Sequence, residues 1–170
     1  LGSYTKAKEL VRDAKDLSKR LNVNPKELGL LTKLFDEGKY EECIKMCEEI
    51  IQILKLKEDL TNEVNVIEKY ANVESIRSKL KEIEGREIEL KEISSVLHEL
   101  KNDLAEITWS KPDLKIELKK KKLKLNYWDI LPIEIKNEGY KHVYDLNLDF
   151  SGDFEVINPN TVKIVEGIIP

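Results

Sequence analysis

The stretch Asp36-Glu37-Gly38-Lys39-Tyr40-Glu41-Glu42-Cys43-Ile44 decides how this chain folds. Two acidic residues and a glycine give way to Tyr40, Cys43, Ile44 and Cys47 at helical spacing, which reads as a tight turn feeding a new amphipathic helix. What comes before lines up against it. Ala7, Leu10, Val11, Ala14, Leu17 and Leu21 recur at intervals of three and four, one stripe of a helix from Tyr4 to Leu21. Asn22 to Asn24 ends that helix. Asn24 as cap, Pro25 at the first helical position and Glu27 three residues after the cap predict a second helix, running through Leu28, Leu31, Leu34 and Phe35 to Gly38.

Laying Tyr40 onward over Tyr4 onward, at an offset of 36 residues, sets Ala7 over Cys43, Leu10 over Met46, Val11 over Cys47, Ala14 over Ile50 and Leu17 over Ile53. This is an internal repeat of helix-pair size, the period of solenoid units that bury their apolar faces on their neighbours. On Leu30, Gly38, Tyr40 and the small residue Cys43, the segment from Leu30 to Ile50 resembles one tetratricopeptide repeat. Glu27 stands where that family often has Trp, Leu31 where it has Gly, Ile50 where it has Ala, and Lys55 where a Pro would end the repeat. The resemblance implies a helix-turn-helix joint and does not carry over the peptide-holding groove of a full array.

The third helix continues past the repeat length through Leu56, Leu60, Val64, Ile67 and Ala71 to a break at Asn72. Ile76, Ile83, Leu90, Leu97 and Leu104 then fall at strict intervals of seven, with Leu80, Ile93, Leu100 and Ile107 between them, a seam of coiled-coil type. Gly85 lies inside this seam and costs about 1 kcal/mol relative to Ala. Because the series crosses it in phase, one helix from Val73 to Thr108 is favoured over a turn at Gly85. The expectation is a long antiparallel hairpin of two helices, each roughly 50 Å long at 1.5 Å per residue. Leu90, Leu97 and Leu104 then form a homodimer seam if the hairpin does not bury them.

At Thr108-Trp109-Ser110-Lys111-Pro112-Asp113 the periodicity changes from helical to alternating, which sets a domain boundary. Leu114, Ile116 and Leu118 alternate on one phase, and after Lys119 to Lys122 the phase flips to Leu123, Leu125 and Tyr127. Leu131, Ile133 and Ile135 follow, then the turn Asn137-Glu138-Gly139, then Tyr144, Leu146, Leu148 and Phe150, with later strands at Phe154 to Ile157 and Val162 to Val165. The run Leu131 to Gly139 with Val143, Asp145 and Leu146 resembles the strand and Asn-x-Gly turn pattern of Ig-like domains of archaeal and bacterial adhesion-related proteins. That resemblance implies a small antiparallel β-sandwich, either truncated, completed by a partner, or smaller than the family norm. The predicted fold class is α+β in two domains: antiparallel helical hairpins over 1–108, a linker over 109–113, and an Ig-like β domain over 114–170.

Bulk properties narrow the function. Charged residues make up 36% of the chain, with a single Gln and a single Met, the bias of thermophile proteins rich in ion pairs. Residues 1–111 hold 20 basic and 23 acidic side chains and residues 112–170 hold 9 and 10, so neither half has the field of a polyanion binder. No apolar run approaches a membrane span. Cys43 and Cys47 share one helix face, which argues against a structural disulfide and fits a reducing, cytoplasmic setting. The lone Met46 leads to the expectation that this is a piece of a longer polypeptide.

Catalytic and metal signals are sparse. His98 and His142 are far apart and read as boundary and strand residues, and the thiols of Cys43 and Cys47 lack the two further ligands of a closed zinc site. Adjacent carboxylates such as Glu41 and Glu42 point apart on a helix. The sharpest charge feature is Lys119-Lys120-Lys121-Lys122 with Lys124, near Tyr127 and Trp128. It could contact phosphates of a nucleic acid, with base stacking, or of a membrane surface, but the balanced charge of its own domain argues against that and favours a lysine-guarded strand edge. The expected function is a non-catalytic protein-interaction or scaffolding module with a protein partner and no cofactor or metal. Two alternatives are a nucleic-acid-binding accessory protein acting through Lys119 to Lys124, and the regulatory part of an enzyme whose catalytic domain lies outside this segment.

Overall fold

A computed structural model describes residues 2–120, 122–124 and 127–148. It is mainly helical, with five helices and two small two-stranded sheets. The chain divides into two compact units: one holds Leu1–Lys69 and Val73–Thr108, and the other takes Tyr70–Asn72 and resumes at Trp109.

The first three helices of unit one are α1 (Gly2–Leu21), α2 (Leu28–Asp36) and α3 (Tyr40–Ile67). The Gly38 turn predicted between α2 and α3 is present, with Gly38 at φ 75°, a left-handed conformation that a side chain would oppose. α1 and α3 run parallel, as Tyr4 meets Tyr40 with ring centroids 5.5 Å apart and Arg20 pairs with Glu58 at 2.8 Å. α2 returns between them. The repeat read at an offset of 36 thus joins two stripes that pack on each other: Ala7, Ala14, Cys43, Cys47 and Ile50 are all fully buried. The small side chains among them let the two backbones approach closely, and this is the most intimate helix pair among the described residues. Tyr4, Phe35 and Tyr40 close one end of the stack with centroid spacings of 5.3 to 5.5 Å.

The second half of unit one corrects the sequence reading. The single helix expected over Val73 to Thr108 is two helices, α4 (Glu74–Glu82) and α5 (Leu90–Trp109), broken at Gly85 with φ 73°. The sevenfold series survives the break because the connection, residues 83–89, is itself seven residues long and keeps Ile83 and Leu90 in phase. Both stripes then face one core, so regular spacing cannot tell a continuous helix from a folded one. Lys79 of α4 lies 3.6 Å from Glu99 and 3.5 Å from Asp103, which ties α4 to the middle of α5. The long two-helix hairpin is accordingly replaced by three helices, with α4 packed on α3.

Asn24 does not cap α2, another departure from expectation. Asn24–Pro25 forms β1, paired in parallel with β2 (Glu87–Ile88), and α2 starts later, at Leu28. Each of the two helix connections carries a left-handed residue ahead of its short strand, Asn22 at φ 54° and Gly85 at φ 73°. The two are laced together. Gly85 N–H donates to the Asn22 carbonyl at 3.0 Å, Lys26 N–H donates to the Ile88 carbonyl at 2.9 Å, and Leu90 N–H donates to the Glu27 carboxylate at 2.9 Å. Lys57, buried on α3, reaches the same region and pairs with Glu84 at 2.7 Å. Around these connections the core is aliphatic, with Leu31, Leu54, Ile76, Ile93, Leu97 and Leu100 fully buried. Each such side chain contributes about 1.5–3 kcal/mol relative to exposure.

In unit two the expected sandwich is not evident among the described residues. β3 (Leu114–Leu118) pairs antiparallel with β4 (Ile133–Asn137), Ile116 opposite Ile135, and a single bridge joins Ala71 to Lys141. Leu123 and Tyr127 are not in a strand, and neither are residues 144–148, where Asp145 at φ 54° interrupts the alternation. Leu125, Phe150 and the strands expected at Phe154 to Ile157 and Val162 to Val165 lie outside the described residues. The Asn137 turn is formed, its side-chain oxygen accepting Gly139 N–H at 3.0 Å.

Candidate functional site

The dimer seam expected on α5 is occupied by the chain's own core. Leu97 and Leu104 are 0% and 1% exposed and Leu90 is half-buried, so they are not available to a second copy. His98 sits on the exposed face of α5, its Nδ1 2.8 Å from the Ser94 carbonyl oxygen. His142 lies in unit two, its backbone N–H donating to the Tyr70 carbonyl at 2.8 Å and its ring edge-on to Tyr144. Cys43 and Cys47 are free and buried. Burial, with Cys43 beside it, pushes the Cys47 thiol up to about 12. Among the described residues no three His, Cys, Asp or Glu side chains gather as a metal site.

The described surface of unit one carries a cleft of about 440 Å³ between α2 and α3, on the outer side of the Gly38 turn. Its apolar part is Leu30, Leu34 and Met46. Leu30 is 47% exposed, and the reason is local: on a helix that buries Leu31, its neighbour must point about 100° away. That Leu-Leu step at 30 and 31 was the sequence signal for this surface. Around the apolar strip the charges are mixed. Lys39 and Glu37 pair at 3.0 Å, the hydrogen bond from Lys39 lowering the Glu37 pKa and the same bond raising that of Lys39. Lys33, Lys45, Glu42 and Glu49 line the cleft and make no ion pair among the described residues. The arrangement offers apolar contact and both signs of charge at its edge, with no convergent set of groups for proton or acyl transfer.

The lysine run is divided in its roles. Lys119 pairs with Glu117 at 3.0 Å and with Glu134 at 3.2 Å, which together raise its pKa, and Lys120 pairs with Asp129. Lys121 lies outside the described residues, while Lys122 and Lys124 are exposed and make no ion pair among the described residues. Beside them stand Tyr127, Trp128 and Ile130, 76%, 68% and 80% exposed. No described helix is long and apolar enough to cross a membrane.

Comparison with protein-family models, with curated proteins and with solved structures finds no match to this chain.

Proposed function

We propose that the chain is a non-catalytic protein-interaction module whose α2–α3 cleft takes one face of an amphipathic helix from a protein partner. The observation that supports this most directly is the apolar strip of Leu30, Leu34 and Met46, bordered by the charged side chains of Lys33, Lys45, Glu42 and Glu49. A strip of that kind recognises two apolar anchors spaced one helical turn apart, and the mixed charges select the polar flanks of the incoming helix. Free, buried Cys43 and Cys47 are consistent with action in the cytoplasm.

The test is a selection of helical peptides with two apolar anchors on the intact chain, followed by titration against the Leu30→Glu chain. Selected peptides are expected to shift the amide resonances of Leu30, Lys33, Met46 and Glu49 and to bind the variant at least about tenfold more weakly. Equal affinity for the variant would overturn the assignment.

A further inference from the structure

The connection between β3 and β4 is long for a hairpin. Leu118 stands opposite Ile133, and Lys119 N–H donates to the Pro132 carbonyl at 3.0 Å, closing the ladder with residues 120–131 beyond it. Hairpin connections are commonly two to about five residues, and longer ones are typically functional. This one presents an aromatic pair, Tyr127 and Trp128, with aliphatic Leu123 and Ile130, all exposed. Its charge is arranged to match. Asp129, the only acidic residue between Lys119 and Pro132, pairs with Lys120 and also feels the charge of Lys124, so the lysines outnumber the one carboxylate, and neither Lys122 nor Lys124 makes an ion pair among the described residues.

We propose that this connection docks the protein on an anionic lipid surface, Trp128 and Tyr127 at the headgroup level, Ile130 and Leu123 beneath them, and Lys122 and Lys124 against lipid phosphates. Tyr and Trp favour the bilayer interface because each has an apolar ring and a polar handle, while aliphatic side chains gain by leaving water for the acyl boundary. Juxtaposed lysines add attraction to an anionic leaflet that is lost at high salt. The composition favours lipid over a nucleic-acid strand. Ile130 and Leu123 have no ring on which a base stacks, whereas both gain by entering an acyl boundary.

The experiment uses the intact chain carrying Trp109→Phe, so that Trp128 is the sole indole, and measures co-sedimentation with vesicles together with Trp128 emission. Vesicles in which roughly a third of the lipid is anionic are expected to bring the chain down and shift its emission to the blue, and purely zwitterionic vesicles to do so at least tenfold less. Trp128→Ser with Ile130→Ser, and separately Lys122→Ser with Lys124→Ser, are each expected to weaken binding at least tenfold with the helical circular dichroism unchanged. Failure to bind anionic vesicles, binding unaffected by both double variants, or binding of a labelled single-stranded oligonucleotide in preference to vesicles would each overturn the proposal.

Discussion

The carboxylate of Glu27 accepts the backbone N–H of Leu90 at 2.9 Å, across 63 residues of chain, and so caps a helix other than the one it precedes. A side-chain acceptor at a helix start is worth about 0.5–2 kcal/mol. Glu27→Ala is therefore expected to destabilise unit one by about 1 kcal/mol in urea denaturation. Asn24→Ala, at the position that sequence alone marks as the cap, is expected to change stability by less than about 0.5 kcal/mol. The reverse order of effects would contradict the observed lacing.

Gly85 tests the break between α4 and α5. A Cβ there meets nothing nearer than Asn22 Nδ2 at 3.8 Å, so Gly85→Ala has no clash and its cost is that of holding an L-residue at φ 73°. That cost is about 1–2 kcal/mol. Gly85→Asn is expected to cost less, because Asn tolerates the left-handed region. Were the helix continuous, Gly85→Ala would raise the denaturation midpoint instead.

The Lys57 and Glu84 pair is asymmetric, with the lysine side chain 6% exposed and the carboxylate 31% exposed. Removing the carboxylate strands a buried ammonium, so Glu84→Ala is expected to cost roughly 1–3 kcal/mol. Lys57→Met fills the same space without a charge and is expected to be near neutral or stabilising. Denaturation of the two single variants and the double variant reads the coupling.

The thiols give a pH signature. Cys47 stands at about 12 in the folded chain against an ordinary value of 9.0, raised by burial and by Cys43. Because the fold favours the protonated thiol, this contribution is complete below pH 9.0 and is lost as pH rises towards the folded value. The stability advantage of the native chain over Cys47→Ala is expected to hold up to about pH 9 and to shrink from there towards about pH 12. Both thiols are expected to resist alkylation until denaturant exposes them.

Much of the helical half was legible because a buried face writes itself into local spacing. Ala7, Ala14 and Leu17 announced α1, and Gly38 its turn. Other features have no local trace. A parallel pairing of two residues, Asn24–Pro25 with Glu87–Ile88, leaves no pattern in either segment, and it overrode a sound capping signal at Asn24. Gly85 was visible, but a seven-residue connection kept the apolar series in phase. In unit two, alternation located β3 and β4 and then overreached. Alternating Leu123 and Tyr127 lie beyond the last ladder bond at Lys119, and left-handed Asp145 bars a strand that Tyr144 and Leu146 imitate. The α2–α3 cleft was half-legible, since Leu30 and Leu31 cannot both face one core.

The lacing of the two connections also fixes an order of events in synthesis. As the chain leaves the ribosome, α1, α2 and α3 can stack through near neighbours, but the Asn22 carbonyl, the Lys26 amide and the Glu27 carboxylate wait for partners at Gly85, Ile88 and Leu90. Closing so distant a contact carries an entropy cost that grows with the logarithm of the intervening length, so it comes late. The last joint to form is thus the one that ties the stack of α1, α2 and α3 to the start of α5.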